Sequence, residues 1–485
     1  MMKHFISEIK KIHTDGLIYR FSELSIEMFG KNQCMREVAI PVIHLGRKQT
    51  KTVMLVAWDF PEIAFLSVKH SNDHRNADSV ASVGQLVDLY RDYDNEHSPA
   101  EIICYSDADG LHRIILGMTA EQFQYQNLGW IFEKFNRDYY ILLAANHFEH
   151  RSEIDANAVV SETFGYSAED YVTVLLMVYW LCSKNPAPLS APEELYHRKA
   201  LTVLTKENIQ RFVEYYSCTY TQLRETPLGK QLLYSKPFIR TQRKGDYLAA
   251  SMFLVAMITG NGLYWLVRDY YNKKHGQKFV NAFGLLFEDY VKDLAQKYCE
   301  SIEWERLPAE SVKGADFLFD FGICQLLIEC KSSLLRLDAK QQVPNLLSTD
   351  TFFKNTIAES YEQLSSSYQS LREQSTTPII KVILLYDEFS NTSIIEHSMS
   401  EVFQNDPSCF VMTIRHLEML LYIHRYNKAT EQLILNYLLD ASKSSESHKS
   451  IEVIFRELSI FQNQHLTGDM DFYAQMMDHF AHNLY

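Results

Sequence analysis

Residues 314–333 read GADFLFDFGICQLLIECKSS, two apolar runs that meet at Gly322-Ile323. Such alternation requires strands, and glycine at the first central position of a two-residue turn favours a tight hairpin. Centring the turn there pairs Phe317 with Ile328, Phe319 with Leu326 and Phe321 with Cys324 on one face, which is wholly apolar. The opposite face pairs Asp316 with Glu329, Leu318 with Leu327 and Asp320 with Gln325, and Lys331 follows two residues beyond Glu329 on the same side. A slip of one residue would turn every apolar side chain to the wrong face, so pattern and turn specify one register. Three charges therefore gather at the end of the ribbon away from its turn.

Directly opposed Cβ atoms in an antiparallel pair lie about 4.5–5.5 Å apart. Two carboxylates about 5 Å apart repel by roughly 3 kcal/mol at an effective dielectric near 20, and by under about 1 kcal/mol in open water. A covered site needs positive charge to offset this, from Lys331 or from a divalent cation that takes oxygen ligands, Mg²⁺ or Mn²⁺. An exposed hairpin end would need neither, and its Glu-Lys pair would contribute about 1 kcal/mol or less. The apolar strand PIIKVILLYD further along predicts the covered position. Two other acidic-x-Lys triplets, Glu8-Ile9-Lys10 and Asp338-Ala339-Lys340, do not end strongly apolar strands.

A chain of 485 residues is long enough for two or three cores. Residues 36–68 alternate apolar runs (REVAIPVIHL, KTVMLVAW, IAFLSVK) with polar breaks, and with AEIICYS and LHRIILGM they predict a small sheet. From about 119 to 226 the spacing becomes helical, with Ser167 placed to cap SAEDYVTVLLMVYWLCSKN. PFIRTQRKGDYLAA predicts a second hairpin turning at Lys244-Gly245. Helices follow toward Tyr271 and over 281–300. From 281 onward the expected order is helix, three strands, helix, strand, strand, which implies α/β (α+β) architecture with a mixed sheet flanked by helices. The expected units are a small α/β region at 1–118, a helical region with a terminal hairpin at 119–245, a mixed-sheet domain at 246–430 and a helical tail at 431–485.

Glu288 on its helix, Gly314-Ala315-Asp316, and Ile328-Glu329-Cys330-Lys331 together resemble the PD-(D/E)XK, or restriction-endonuclease-like, nuclease superfamily. The resemblance covers residues 275–425, roughly a third of the chain. It implies an αβββαβ core and Mg²⁺-dependent hydrolysis of phosphodiester bonds, with DNA as substrate before RNA. Asp316, Glu329 and the backbone carbonyl of Cys330 would bind the metal, Lys331 would serve the attacking water, and Glu288 would complete the site. A polar residue from the helix after the ExK strand often joins such sites, here Gln363 or Glu359. Ala315 stands where the motif's proline would be. Stand-alone nucleases with an unfamiliar N-terminal region resemble bacterial anti-phage defence effectors, in which that region senses a trigger or binds a protein partner. A related protein without activity would keep the fold as a nucleic-acid-binding or assembly module.

The net charge of −14 argues against a generally basic nucleic-acid coat but leaves room for a local one. Lys230, Lys236, Arg240, Arg243 and Lys244 occur without an intervening acid, and Lys273 and Lys274 follow Arg268. They are the candidate phosphate contacts; a solvated positive face is the simpler reading of such a run. His70 with His74, and His147 with His150, have helix-compatible metal spacings but no evident third ligand. The eight cysteines form no CxxC pair and read as thiols of a reducing cytoplasm. No apolar run suits a signal peptide or bilayer span, and no phosphate-binding loop or serine-hydrolase elbow occurs. The expected setting is cytoplasmic, and the expected partners are nucleic acid, a protein trigger and a second copy of the chain, with no membrane.

Overall fold

The computed structural model describes residues 2–44, 47–70, 83–103, 108–126, 128–190, 202–226, 229–242, 246–308, 314–340, 345–389, 392–443 and 450–462. The fold is mixed α/β and 63% helical. Strands β1 (Met35–His44) and β2 (Arg47–Val56) form an isolated antiparallel ribbon. A small sheet joins β3 (Ser217–Cys218), β4 (Phe238–Arg240) and β5 (Tyr247–Ala249), the last two antiparallel as the expected second hairpin. Its turn, with Arg243 and Lys244, lies outside the described residues.

Three expected strands are helical instead. IAFLSVK belongs to a helix at Asp59–His70, AEIICYS overlaps the end of one at Val83–Ile103, and LHRIILGM lies within Ala108–Gln126. The first miss has a clear cause. Every residue from Ile63 to Val68 is buried, so the helix has no polar stripe and its apolar run looks like a covered strand. Asp59 and Glu62 in its first turn, with Lys69 and His70 in its last, are the end charges that favour a helix.

The C-terminal half carries a five-stranded mixed sheet in the order β10-β9-β8-β7-β6, comprising β6 (Trp304–Arg306), β7 (Phe317–Asp320), β8 (Gln325–Lys331), β9 (Ile379–Leu385) and β10 (Cys409–Thr413). β6, β7 and β8 are mutually antiparallel, whereas β8, β9 and β10 run parallel. All seven residues of β9 are buried, as expected for a strand covered on both faces. The Lys278–Tyr298 helix packs Phe283, Leu286 and Phe287 into the core on the Phe317, Phe319 and Ile328 side. On the other face Tyr361 and Leu364, from the Glu359–Arg372 helix, share a core with Leu327 and Ile383.

The largest buried cluster runs from Phe135 to Ile460 and crosses the boundary expected at 245/246. A polar bond set ties the same parts together: Arg137 in the Gly129–Tyr139 helix donates Nε to Glu418 at 2.6 Å and Nη1 to Glu388 at 3.0 Å. All three side chains are nearly inaccessible to solvent, and removing one partner would leave a buried charge without compensation. Among the described residues no helix is long and apolar enough to cross a membrane.

Candidate active site

The β7–β8 ladder has the register read from the sequence: Phe317 pairs Ile328, Leu318 pairs Leu327, Phe319 pairs Leu326 and Asp320 pairs Gln325. Gly322 takes a φ of +80°, a conformation that glycine adopts without penalty, and Phe321 N–H donates to Cys324 O at 3.0 Å to close the turn. The ladder ends one pair short of the expectation. Asp316 lies just past it, with its N–H on Ile328 O at 2.9 Å and its Oδ2 accepting from Cys330 N–H at 2.7 Å. The aspartate is thereby anchored to the backbone of the strand that carries Glu329 and Lys331.

The peptide groups of Gln325 and Lys331 face β9, through Gln325 N–H to Pro378 O and Tyr386 N–H to Lys331 O, each within 2.9 Å. Strand alternation therefore turns the Cys330 peptide toward β7. Its N–H bonds the Asp316 carboxylate, and its carbonyl opens along the same edge. Lys331 Nζ donates to Glu329 Oε1 at 2.7 Å and to Gln363 Oε1 at 2.9 Å. Of the two polar candidates on the Glu359–Arg372 helix, Gln363 is the one that reaches the lysine.

Glu329 is 3% exposed, and its second oxygen, Oε2, is buried without a hydrogen-bond partner among the described residues. Burial, with Asp316 charge added to it, pushes the Glu329 pKa up to about 8 against the pull of Lys331. Burial and the charge of Glu288 likewise raise Asp316 to about 7, against its bond from Cys330. The half-buried carboxylate of Glu288 is held by Arg306 Nη2 at 2.7 Å. One turn earlier on the same helix, a Cβ on Gly284 would lie 3.5 Å from Ser332 Oγ, so this helix face meets the end of β8.

Arg306 was not anticipated. It lies on β6 and also approaches Glu149 at 3.3 Å and Asp289 at 3.8 Å. Its only sequence signal is its place in the short run SIEWERL, which indicates a strand but not the direction of the side chain. Beyond β8, a cleft of about 380 Å³ is lined by Arg268, Ser332, Ser333, Arg336 and Asn355. Asn355 belongs to a wide helical turn at Phe353–Ala358, a π-type irregularity of a kind frequent at functional sites.

The basic candidates are scattered in role. Lys236 donates to Tyr215 O at 2.9 Å, and burial lowers its pKa, so it is not a free surface cation. Lys274 pairs with Glu162 at 2.6 Å, Arg240 and Lys273 are exposed, and the side chain of Lys230 lies outside the described residues. His150, with no evident third ligand in the sequence, stands with Glu149 and Asp289 in a group whose ligand atoms lie within 4.8 Å of one another. Cys299, Glu303 and His424 form a second such group, whereas Asp316, Glu329 and Glu288 are not so tightly drawn together.

A divalent cation suits the Asp316–Glu329 edge on chemical grounds. The donor set is hard oxygen, one buried carboxylate oxygen lacks a partner among the described residues, and burial raises the pKa of both acids, a cost that a bound cation would offset. Comparison with known proteins returns no matching family model, no matching curated protein and no matching solved structure.

Proposed function

We propose that this chain is a Mg²⁺- or Mn²⁺-dependent nuclease that hydrolyses phosphodiester bonds in DNA, built on a restriction-endonuclease-like αβββαβ core. The observation that carries the reading is the joined set Asp316, Glu329, Lys331 and Gln363, assembled on a covered strand end at the register that its sequence demands. The order of elements from Lys278 to Thr413 supports it: a helix, β6, β7, β8, a helical stretch over 346–372, β9, a short helix at Ser393–Ser398 that the expected order lacked, then β10. DNA rather than RNA rests on the family resemblance.

Asp316, Glu329 and the Cys330 carbonyl would hold the cation, with Glu288 beside them. When bound, the metal would neutralise the paired carboxylates and stabilise charge on the phosphoryl oxygens. Lys331 offers three N–H donors. Glu329 and Gln363 orient two of them, so the third is aimed from a fixed ammonium and can hold a water or a phosphate oxygen. Arg306 restrains Glu288, and Arg268 and Arg336 line the cleft through which a phosphate backbone would pass.

The test is Mg²⁺-dependent cleavage of plasmid, single-stranded DNA and RNA by the wild type and by Glu329→Ala and Lys331→Ala. Cleavage of DNA that both substitutions abolish is expected. Equal activity in all three proteins would refute the assignment, cleavage of RNA alone would redirect it to an RNA nuclease, and binding without cleavage would favour an inactive nuclease-like scaffold.

A further inference from the structure

A second, partly open cavity lies beside the cleft. Its volume is about 400 Å³, within the range of roughly 300–1,000 Å³ typical of small-molecule sites. Trp130, Tyr215 and Trp265 line it. Trp130 is 4% exposed, so its ring is fixed in the wall by the packing around it.

The charges of the lining do not cancel. Lys340 pairs with Asp387 at 2.6 Å, Lys134 with Asp138 at 3.3 Å and Glu388 with Arg137 at 3.0 Å. Among the described residues of the lining, Lys236 and Lys273 then stand against one carboxylate, Asp269, which leaves one positive charge in excess. Flat aromatic walls and a net positive charge match a planar aromatic ring with an attached anion.

The cavity also touches the cleft. Leu334, three residues after Lys331, lines both spaces. Arg268 lines the cleft while its guanidinium lies 4.8 Å from the ring centroid of Trp265, which lines the cavity. The next residue, Leu335, donates its N–H to Asp387, another cavity residue, at 2.8 Å. An occupant stacked on Trp265 would therefore press on the groups that shape the cleft.

We infer that this cavity binds a nucleoside monophosphate, its base among the indole and phenol rings and its phosphate at Lys236 and Lys273, and that occupancy changes the rate of cleavage. The binding half stands on the cavity alone, and the control half rests on the nuclease reading. Calorimetric titration of the full chain with AMP, GMP, CMP and UMP should show one-site binding of at least one. Adenosine and inorganic phosphate, which lack the anion and the ring respectively, should bind at least tenfold more weakly than AMP or its best-bound counterpart. Lys273→Ala, an exposed change, and Trp265→Ala should each weaken binding at least tenfold, with thermal melting confirming that both variants are folded.

Failure of all four monophosphates to bind, or full affinity in the Lys273→Ala protein, would overturn the site. Binding of a 5′-phosphorylated oligonucleotide but of no mononucleotide would overturn the free ligand in favour of a strand end. A cleavage rate that saturating monophosphate changes at least fivefold is expected. An unchanged rate in an active enzyme would overturn the control, whereas binding by a protein that never cleaves would leave the site standing and refute the nuclease.

Discussion

The two ribbons β1–β2 and β7–β8 both carry acids and bases on apolar alternation, yet their charges have opposite physical standing. On β1–β2 the ladder runs for ten pairs, and Lys51 meets Asp88, from the Val83–Ile103 helix, at 2.7 Å with side chains 50% and 23% exposed. Water solvates both partners, and such a pair contributes about 1 kcal/mol at most. On β7–β8 Lys331 meets Glu329 at the same 2.7 Å, but the side chains are 19% and 4% exposed. Asp316 lies beside them, and one Glu329 oxygen has no partner among the described residues. Equal distances thus describe an incidental surface pair between one ribbon and a neighbouring helix, and a group under electrostatic stress in the other ribbon. Stress of that kind persists where a ligand relieves it, and it is therefore a pointer to chemistry.

The sharpest way to break this contrast is to remove one charge from each ribbon. Lys331→Ala should lower Mg²⁺-dependent cleavage by ~10²–10⁴-fold, the range for a positioned proton-handling group. Lys51→Ala should leave cleavage unchanged and shift unfolding free energy by less than ~1 kcal/mol in a denaturant titration. Comparable losses in the two variants would remove the distinction. A smaller effect is expected at the helix that braces the lysine: Gln363→Ala should reduce cleavage by ~10–100-fold, as for residues that orient a metal site from outside it. Glu359→Ala, one turn earlier, should retain the wild-type rate in the same assay.

A third expectation concerns pH. Folding raises the Glu329 pKa to about 8 and that of Asp316 to about 7. An acid whose pKa is raised by folding binds its proton more tightly in the native state, so its stabilising contribution is complete below the ordinary carboxylate range near ~4 and falls away as pH rises through the folded values. Metal-free protein should therefore lose Tm between about pH 5 and pH 8. Mg²⁺ should recover Tm most at the alkaline end, where the carboxylates are deprotonated. Glu329→Gln should flatten both trends, and scanning calorimetry at several pH values with and without Mg²⁺ reads them directly. A metal-free Tm that rises across that window would contradict the burial of the pair.

What the sequence made legible is local. The β7–β8 register follows from period-two alternation and one glycine, and the Ser167 cap was visible as a serine before a helical pattern; its side chain does accept from Asp170 N–H. The helix at Asp59–His70 was hidden because complete burial erases the polar stripe that reveals a helix. Asp316 was expected in the ladder opposite Glu329, and it sits past the end because its carboxylate takes the Cys330 N–H, a choice invisible to alternation. Arg137 and Glu418 are 281 positions apart, and no periodicity connects them. Arg306 shows the same limit: a strand can be read from neighbours, but the acids that its arginine will meet come from Glu149 and the Lys278–Tyr298 helix.

The most direct test is a crystal structure of the full chain with Mn²⁺, phased on the metal's anomalous signal. A peak within about 2.0–2.4 Å of oxygens from both Asp316 and Glu329 is expected. Mn²⁺ at Glu149, His150 and Asp289, or at Cys299, Glu303 and His424, with the Asp316–Glu329 edge empty at millimolar metal, would contradict it.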